Sequence, residues 1–282
     1  MATEDDREAE REAELEAGRM PLLDHLIELR NRLMWSAAAI IVAFLVCYQF
    51  KEAIYRFLSH PLAEVFGGEA GRKMIATGLT EIFFTYIKVS FWAAICLAFP
   101  VVATQIWKFV APGLYKNERR AFLPYMCATP VLFLMGASLA YFVVIPYAFK
   151  FFVSFETPGT PGSLPIEIEA KVNEYLSLVM TLLLAFGAAF QLPVLLTLMA
   201  RAGIITSQGL ISKWRYAVVG MFGVAAVLTP PDVVSQTSLA VPLVLLYVLS
   251  IFSCRWVEKQ RAKREAEEEA ELSGGGTPAA GE

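Results

Sequence analysis

The sequence predicts an all-α membrane protein of six transmembrane helices, bent into a concave body, with the last two helices short. Three observations predict it. Hydrophobic residues make up 56% of the 282-residue chain and charged residues only 18%, whereas soluble domains carry nearer ~25% charge. The charges are segregated, with acidic residues crowding both ends and a middle almost free of them. That middle breaks into uncharged runs close to the ~18–20 residues a helix needs to cross ~30 Å of hydrocarbon at ~1.5 Å per residue.

Before the first run, Leu22, Leu26, Leu29 and Leu33 recur at helical spacing with polar residues between them, so Pro21–Leu33 is expected to lie on the membrane surface before turning inward. The spans themselves are Leu33–Phe50, Val89–Trp107, Ala121–Phe149 and Tyr175–Ala200. The stretch from Tyr216 to Cys254 is too long for one crossing, and Thr229-Pro230-Pro231-Asp232 removes backbone donors and forces a turn. It divides into Tyr216–Pro231 and Val233–Cys254, the former short enough to demand local bilayer thinning or snorkelling ends. Pro100, Pro130, Pro146, Pro193 and Pro242 fall inside spans, where each frees a carbonyl and bends its helix.

Six crossings put both termini on one side. The segments on that side carry Arg19, Arg30, Arg32, Lys108, Lys116, Arg119, Arg120, Arg201, Lys213, Arg215 and the basic cluster from Arg255 to Arg264. The opposite loops, although longer, carry only Lys51, Arg56, Arg72, Lys73, Lys150 and Lys171. Basic residues favour the cytoplasm, so both termini are expected there. The organisation is therefore an acidic tail over 1–20, a membrane domain over 21–256, and a tail over 257–282 that begins as a charged helix and is expected to be largely disordered. The external loops, 51–82 and 150–174, hold Pro61, Pro158, Pro161 and Pro165 and are long enough to cap that face.

Composition also narrows the chemistry. The four cysteines lie in or beside apolar runs without a Cys-x-x-Cys pair, and the two histidines fall outside the spans. No metal site, cofactor or nucleophile with a base is implied, which disfavours a membrane hydrolase. A small-solute transporter would want ionisable groups near the midplane and an internal repeat. Neither is evident. A binding and translocation protein without a catalytic step is the better reading, and nothing suggests nucleic acid.

Two carboxylates stand out on the cytoplasmic side. Glu28 lies four residues before Arg32, which makes a helix ion pair its plainest role. Glu118 lies in Leu114-Tyr115-Lys116-Asn117-Glu118-Arg119-Arg120, among three cations. Three motifs in succession, His25-Leu26-Ile27-Glu28-Leu29-Arg30, Phe109 through Arg120, and Leu228-Thr229-Pro230-Pro231-Asp232-Val233-Val234-Ser235-Gln236, closely resemble the TatC family. These are the multispanning receptor subunits of the twin-arginine protein translocase, and the likeness covers roughly 20–256.

The resemblance implies a receptor in the bacterial inner membrane that binds twin-arginine signal peptides of folded cargo. Transport would draw on the proton gradient. Partners would be TatA- and TatB-like single-span subunits, further copies of the chain and the lipid bilayer. Glu28 and Glu118 match the family's arginine-receiving carboxylates, and Arg30 and Phe109 match other positions tied to the signal. Pro61 matches an external-loop residue that matters for transport, with loop stiffening as its plainer role. Thr229 and Gln236, beside the turn of Pro230, Pro231 and Asp232, resemble a polar patch that receives the single-span partners. Gln191 stands where the family often has a glutamate, and an amide cannot relay protons, which leaves it a hydrogen-bonding role, for instance to the carbonyl freed by Pro193.

Overall fold

The computed structural model describes residues 4–67, 72–114, 119–157, 164–229 and 232–274, without the side chains of 4–22, 110–124, 264, 265 and 267–274. The fold is built of helices: α1 (Glu4–Gln49), α2 (Lys51–Val65), α3 (Glu81–Leu114), α4 (Arg119–Leu139), a π-helical turn (Ala140–Val144), α5 (Ile145–Val153), α6 (Val172–Ala189), α7 (Leu192–Arg201), α8 (Ser207–Ser212), α9 (Trp214–Leu228) and α10 (Val233–Gly274). Among the described residues, five segments are long and apolar enough to cross a membrane: Leu23–Gln49, Glu81–Phe109, Tyr125–Val153, Val172–Arg201 and Val233–Lys263. The sixth, α9, has 15 residues and reaches only about 22 Å, which fits the short hairpin partner expected from the sequence.

Two expectations about the ends of these helices need correction. No turn separates Pro21–Leu33 from the first span, because α1 is continuous from Glu4 to Gln49. Leu26, Leu29 and Leu33 lie on this unbroken helix and are exposed at the protein surface. At the other end the packed body extends past residue 256, where Val257 is buried and the Glu258 carboxylate accepts the Ser207 backbone N–H at 2.7 Å. α10 then continues to Gly274.

The prolines divide by how their freed carbonyls are handled. α3, α4 and α10 run through Pro100, Pro130 and Pro242 without interruption. Before Pro146 the helix widens, and the Ile145 N–H reaches back five residues to the Ala140 carbonyl, a π turn that absorbs the ring. Before Pro193 the helix tightens, with the Gln191 N–H bonding the Ala188 carbonyl three residues back, and α6 ends there.

Pro61 is not in a loop. It lies inside α2, buried with Leu58 and Leu62 on that helix's inner face. A proline there cannot satisfy the carbonyl four residues earlier, which is that of Phe57. The Tyr141 hydroxyl donates to that oxygen at 2.7 Å, and the Tyr175 hydroxyl donates to the neighbouring Leu58 carbonyl at 2.8 Å. Tyr141 also stacks on Phe57 with ring centroids 4.4 Å apart. Removing the hydroxyl in Tyr141→Phe leaves the carbonyl without this donor and is expected to destabilise by about 1–3 kcal/mol. A melting temperature of the detergent-solubilised variant equal to that of the wild type would refute this account.

The main core surrounds α6, whose Tyr175, Leu176, Val179, Met180, Leu182 and Phe186 are buried. α1 joins through small side chains, with Ala43 and Cys47 against Ala94 and Ala98 of α3. Small residues let helix backbones approach closely where lipid gives no hydrophobic drive to associate. Most of α1's other described side chains, Leu33, Trp35, Ile41 and Leu45 among them, remain exposed at the protein surface, as a lipid-facing helix requires. Between α2, α3, α4 and α6 lies an apolar concavity of about 680 Å³ lined by Phe57, Trp92, Cys96, Phe133, Tyr141 and Leu183.

The end of the bundle where α2 joins α3 and α5 joins α6 is capped, as the loop lengths suggest. Ile75 and Lys171 form a parallel bridge and Thr157 and Ile166 an antiparallel one. Arg72 clasps Glu156 with both guanidinium arms, at 2.8 and 2.6 Å, and the same carboxylate accepts the Ile168 N–H at 3.0 Å. The Arg72 hydrogen bond, then the Ile168 amide, hold the Glu156 carboxyl below its usual range. A carboxyl with a lowered folded-state pKa contributes stability above its ordinary pKa and loses it as pH falls through the lowered value. The cap is therefore expected to stay protease-resistant at mildly acid pH and to open only below the ordinary carboxylate range, whereas Glu156→Gln opens it at neutral pH. Equal cleavage of both proteins across that pH range would contradict the clasp. Pro158 and Pro161 lie outside the described residues.

Candidate functional site

Where the first half of α1 meets the end of α3, the two helices run antiparallel and bring polar side chains together. The His25 ring stacks on Phe109 with centroids 4.3 Å apart and planes 16° from parallel. One turn further on, Glu28 Oε1 accepts from Arg32 Nη2 at 3.1 Å, and Arg32 Nη1 donates to Gln105 Oε1 on α3 at 3.2 Å. The Arg32 and Glu28 side chains are each 32% exposed. A cavity of about 360 Å³ opens beside them, bordered by Asp24, Ile27, Asn31 and Trp35. Glu28 thus presents a half-exposed carboxylate, braced from one side, at the mouth of a cavity large enough for a side chain.

Arg30 does not join this group. Two residues turn a helix by about 200°, and Arg30 is exposed with its Nη2 near Asn31 Oδ1 at 3.4 Å. Glu118 lies outside the described residues, in the connection between the end of α3 at Leu114 and the start of α4 at Arg119. His25 and Gln105 were not singled out by sequence reasoning. Gln105 carried a signal, being an amide near the end of an apolar run, but its partner depends on how α1 and α3 register.

Deeper in the bundle, Gln191 does form hydrogen bonds, though not to the carbonyl of Ala189 that Pro193 frees. Its Nε2 donates to the Thr129 carbonyl on α4 at 3.0 Å and faces the Gly187 carbonyl at 3.5 Å. Gly187 is available because the tightened turn takes the Gln191 N–H to Ala188 instead. Thr129 in turn accepts from Trp107 Nε1 at 3.0 Å, so one polar thread ties α3, α4 and the α6–α7 junction. These groups leave no titrating side chain at position 191.

At the opposite end the α9–α10 turn has intrachain partners. Thr229 is buried and its hydroxyl donates to the Ala225 carbonyl at 2.8 Å. Gln236 is half-buried and its amide donates to the Phe222 carbonyl at 3.3 Å. Asp232 caps α10, Oδ1 accepting the Ser235 N–H at 2.7 Å, a favoured use of aspartate at a helix start. Among the described residues, Asp232 Oδ2 and the Ser235 hydroxyl are buried without a partner. Pro230 and Pro231 lie outside the described residues.

Fold and site together define a multi-pass membrane protein with a braced carboxylate at one end and no cluster of metal-ligating side chains among the described residues. Residues 24–242 match the family model described as TatC, Sec-independent protein translocase protein. The Sec-independent protein translocase protein TatC of Magnetococcus marinus is 53% identical over 251 residues, 89% of this chain and 90% of that one. Its counterpart in Escherichia coli (strain K12) is 41% identical over 246 residues, 87% and 92% of the two chains. A crystal structure of the twin-arginine translocase receptor TatC superposes with a TM-score of 0.71 at 34% identity, covering 83% of this chain and 99% of that one. The chain belongs to the TatC family, the non-enzymatic multispanning subunits of the Sec-independent translocase.

Proposed function

We propose that this protein is the signal-peptide receptor of its translocase, sitting in a bacterial inner membrane with both termini cytoplasmic. The observation that carries the reading is Glu28, half exposed beside a cavity and already shaped to accept a guanidinium. A carboxylate can take two parallel N–H bonds from arginine but one compact ammonium from lysine. Glu28 receives one arginine of a twin-arginine signal and Glu118, on the segment after α3, receives the other. Phe109, stacked on His25 one turn away, supplies an apolar wall, and Arg30 faces the approach from the far side of α1.

Each charge-assisted contact contributes about 1.5–3 kcal/mol, less where water screens it. Two such contacts give modest affinity, so the signal's apolar stretch adds the rest against the spans. Folded cargo exceeds any passage through six helices. TatA- and TatB-like single-span subunits, with further copies of this chain, therefore provide it, driven by the proton gradient. Half-buried Gln236 and the cluster of Thr229, Asp232 and Ser235, two of whose polar atoms are buried without a partner among the described residues, support a docking place for those subunits, since polar groups in lipid seek partners.

The test is binding of one signal peptide in Arg-Arg and Lys-Lys forms to the purified protein. The expected result is at least tenfold tighter binding of the Arg-Arg form. Equal affinities would refute the receptor reading.

A further inference from the structure

If Glu28 receives a guanidinium, the resting protein already holds one there. Arg32, one turn along α1, reaches Glu28 Oε1 with one arm at 3.1 Å while its other arm is engaged by Gln105 Oε1 at 3.2 Å. A guanidinium grips a carboxylate best with two parallel donors. Gln105 thus keeps Arg32 from its strongest hold on Glu28. Among the described residues Gln105 and Glu28 are the side chains that Arg32 bonds, and they come from different helices. Asn31 and Trp35 on α1 border the adjoining cavity from which a second donor can reach the same carboxylate.

We propose that Arg32 is an internal competitor for Glu28, held half off by Gln105, and that this arrangement sets the threshold for recognition. An incoming group gains the carboxylate only by offering more than the single bond it displaces. Arginine, with two aligned donors, exceeds that threshold. Lysine merely exchanges one bond for another, with the added cost of removing a strongly hydrated ammonium from water. Arg32 and Gln105 are on this account positioning residues that sharpen discrimination, and they have opposite effects. Removing Arg32 lowers the threshold. Removing Gln105 frees Arg32 to place both arms on Glu28 and raises it.

The inference rests on the proposed function but can fail separately from it. Full-length wild type, Arg32→Gln, Gln105→Ala and Gln105→Glu proteins are purified, checked for cooperative thermal unfolding, and titrated with the Arg-Arg and Lys-Lys forms of one fluorescent signal peptide. Arg32→Gln is expected to tighten Lys-Lys binding at least fivefold and to shrink the Arg-Arg preference. Gln105→Ala is expected to weaken Arg-Arg binding at least threefold. Gln105→Glu, whose carboxylate draws Arg32 away from Glu28, is expected to shrink the preference as Arg32→Gln does.

A merely structural role would weaken binding in all three. That outcome overturns the proposal, as does an Arg-Arg to Lys-Lys ratio in Arg32→Gln equal to the wild type's. Should Arg32→Gln fail to unfold cooperatively, the opposite signs expected at position 105 decide the matter alone. Absence of any Arg-Arg preference in the wild type would instead refute the receptor reading itself.

Discussion

Glu28→Ala is expected to weaken binding of a twin-arginine signal peptide to the purified protein by roughly tenfold to a hundredfold, about 1.5–3 kcal/mol. The loss has two sources. A charge-assisted bond to the ligand disappears, and Arg32 loses its carboxylate partner, which leaves a second cation facing the peptide's arginines. Glu28→Gln keeps the shape and one acceptor while removing the charge, so it should fall between wild type and alanine. The fold should survive both changes, because Glu28 is half exposed and its pairing with Arg32 is the kind of helix ion pair worth only ~0.3–0.5 kcal/mol. Isothermal titration with unchanged melting temperatures is the expected signature.

The second large effect is on stability. Gly136 on α4 packs against α6 so closely that a Cβ there would collide with the Phe186 carbonyl oxygen and meet the Phe190 ring at 2.8 Å. Gly187 on α6 meets Phe133 across the same contact, at 2.5 Å from its ring. The α4–α6 seam is thus a reciprocal fit of glycine against phenylalanine, with Phe133 itself stacked on Phe99 at 3.9 Å. Gly136→Ala forces backbone apart and should cost about 1–3 kcal/mol, and Gly136→Leu should prevent stable folding. Gly187→Ala meets only a ring edge and should cost less. Equal melting temperatures for Gly136→Ala and wild type would show that the seam is looser than described.

Much of this was legible in the residues because lipid imposes a simple rule on composition. Uncharged runs marked the long spans, and Thr229-Pro230-Pro231-Asp232 marked the hairpin that leaves α9 at 15 residues. What stayed hidden depends on tertiary register. α2 reads as loop in the sequence because Lys51, Glu52, Arg56 and Glu64 are interleaved with its apolar residues, and hydropathy averages over both faces of an amphipathic helix. Pro61 therefore looked like a loop residue, although Tyr141, 80 positions away in sequence, covers the carbonyl it exposes.

The site divides in the same way. Glu28 and Arg32 are visible as a pair at helical spacing, and the family motif points to Glu28. Neither shows that Gln105 engages one arm of Arg32 or that His25 lies on Phe109, since both contacts follow from how α1 lies along α3. Gln191 was read as a hydrogen-bonding amide. Its partners, Thr129 and Gly187, become available through α4 packing and the tightened turn before Pro193.

The central claim is that a carboxylate at position 28 grips an arginine of the incoming signal directly. A double-mutant cycle tests it most directly, pairing Glu28→Gln with arginine-to-glutamine changes at each of the two peptide positions and measuring all affinities by titration. Direct contact predicts a coupling of about 1.5 kcal/mol or more with one of the two arginines and much less with the other. Additive losses at both peptide positions would contradict the contact and, with it, the account of this site.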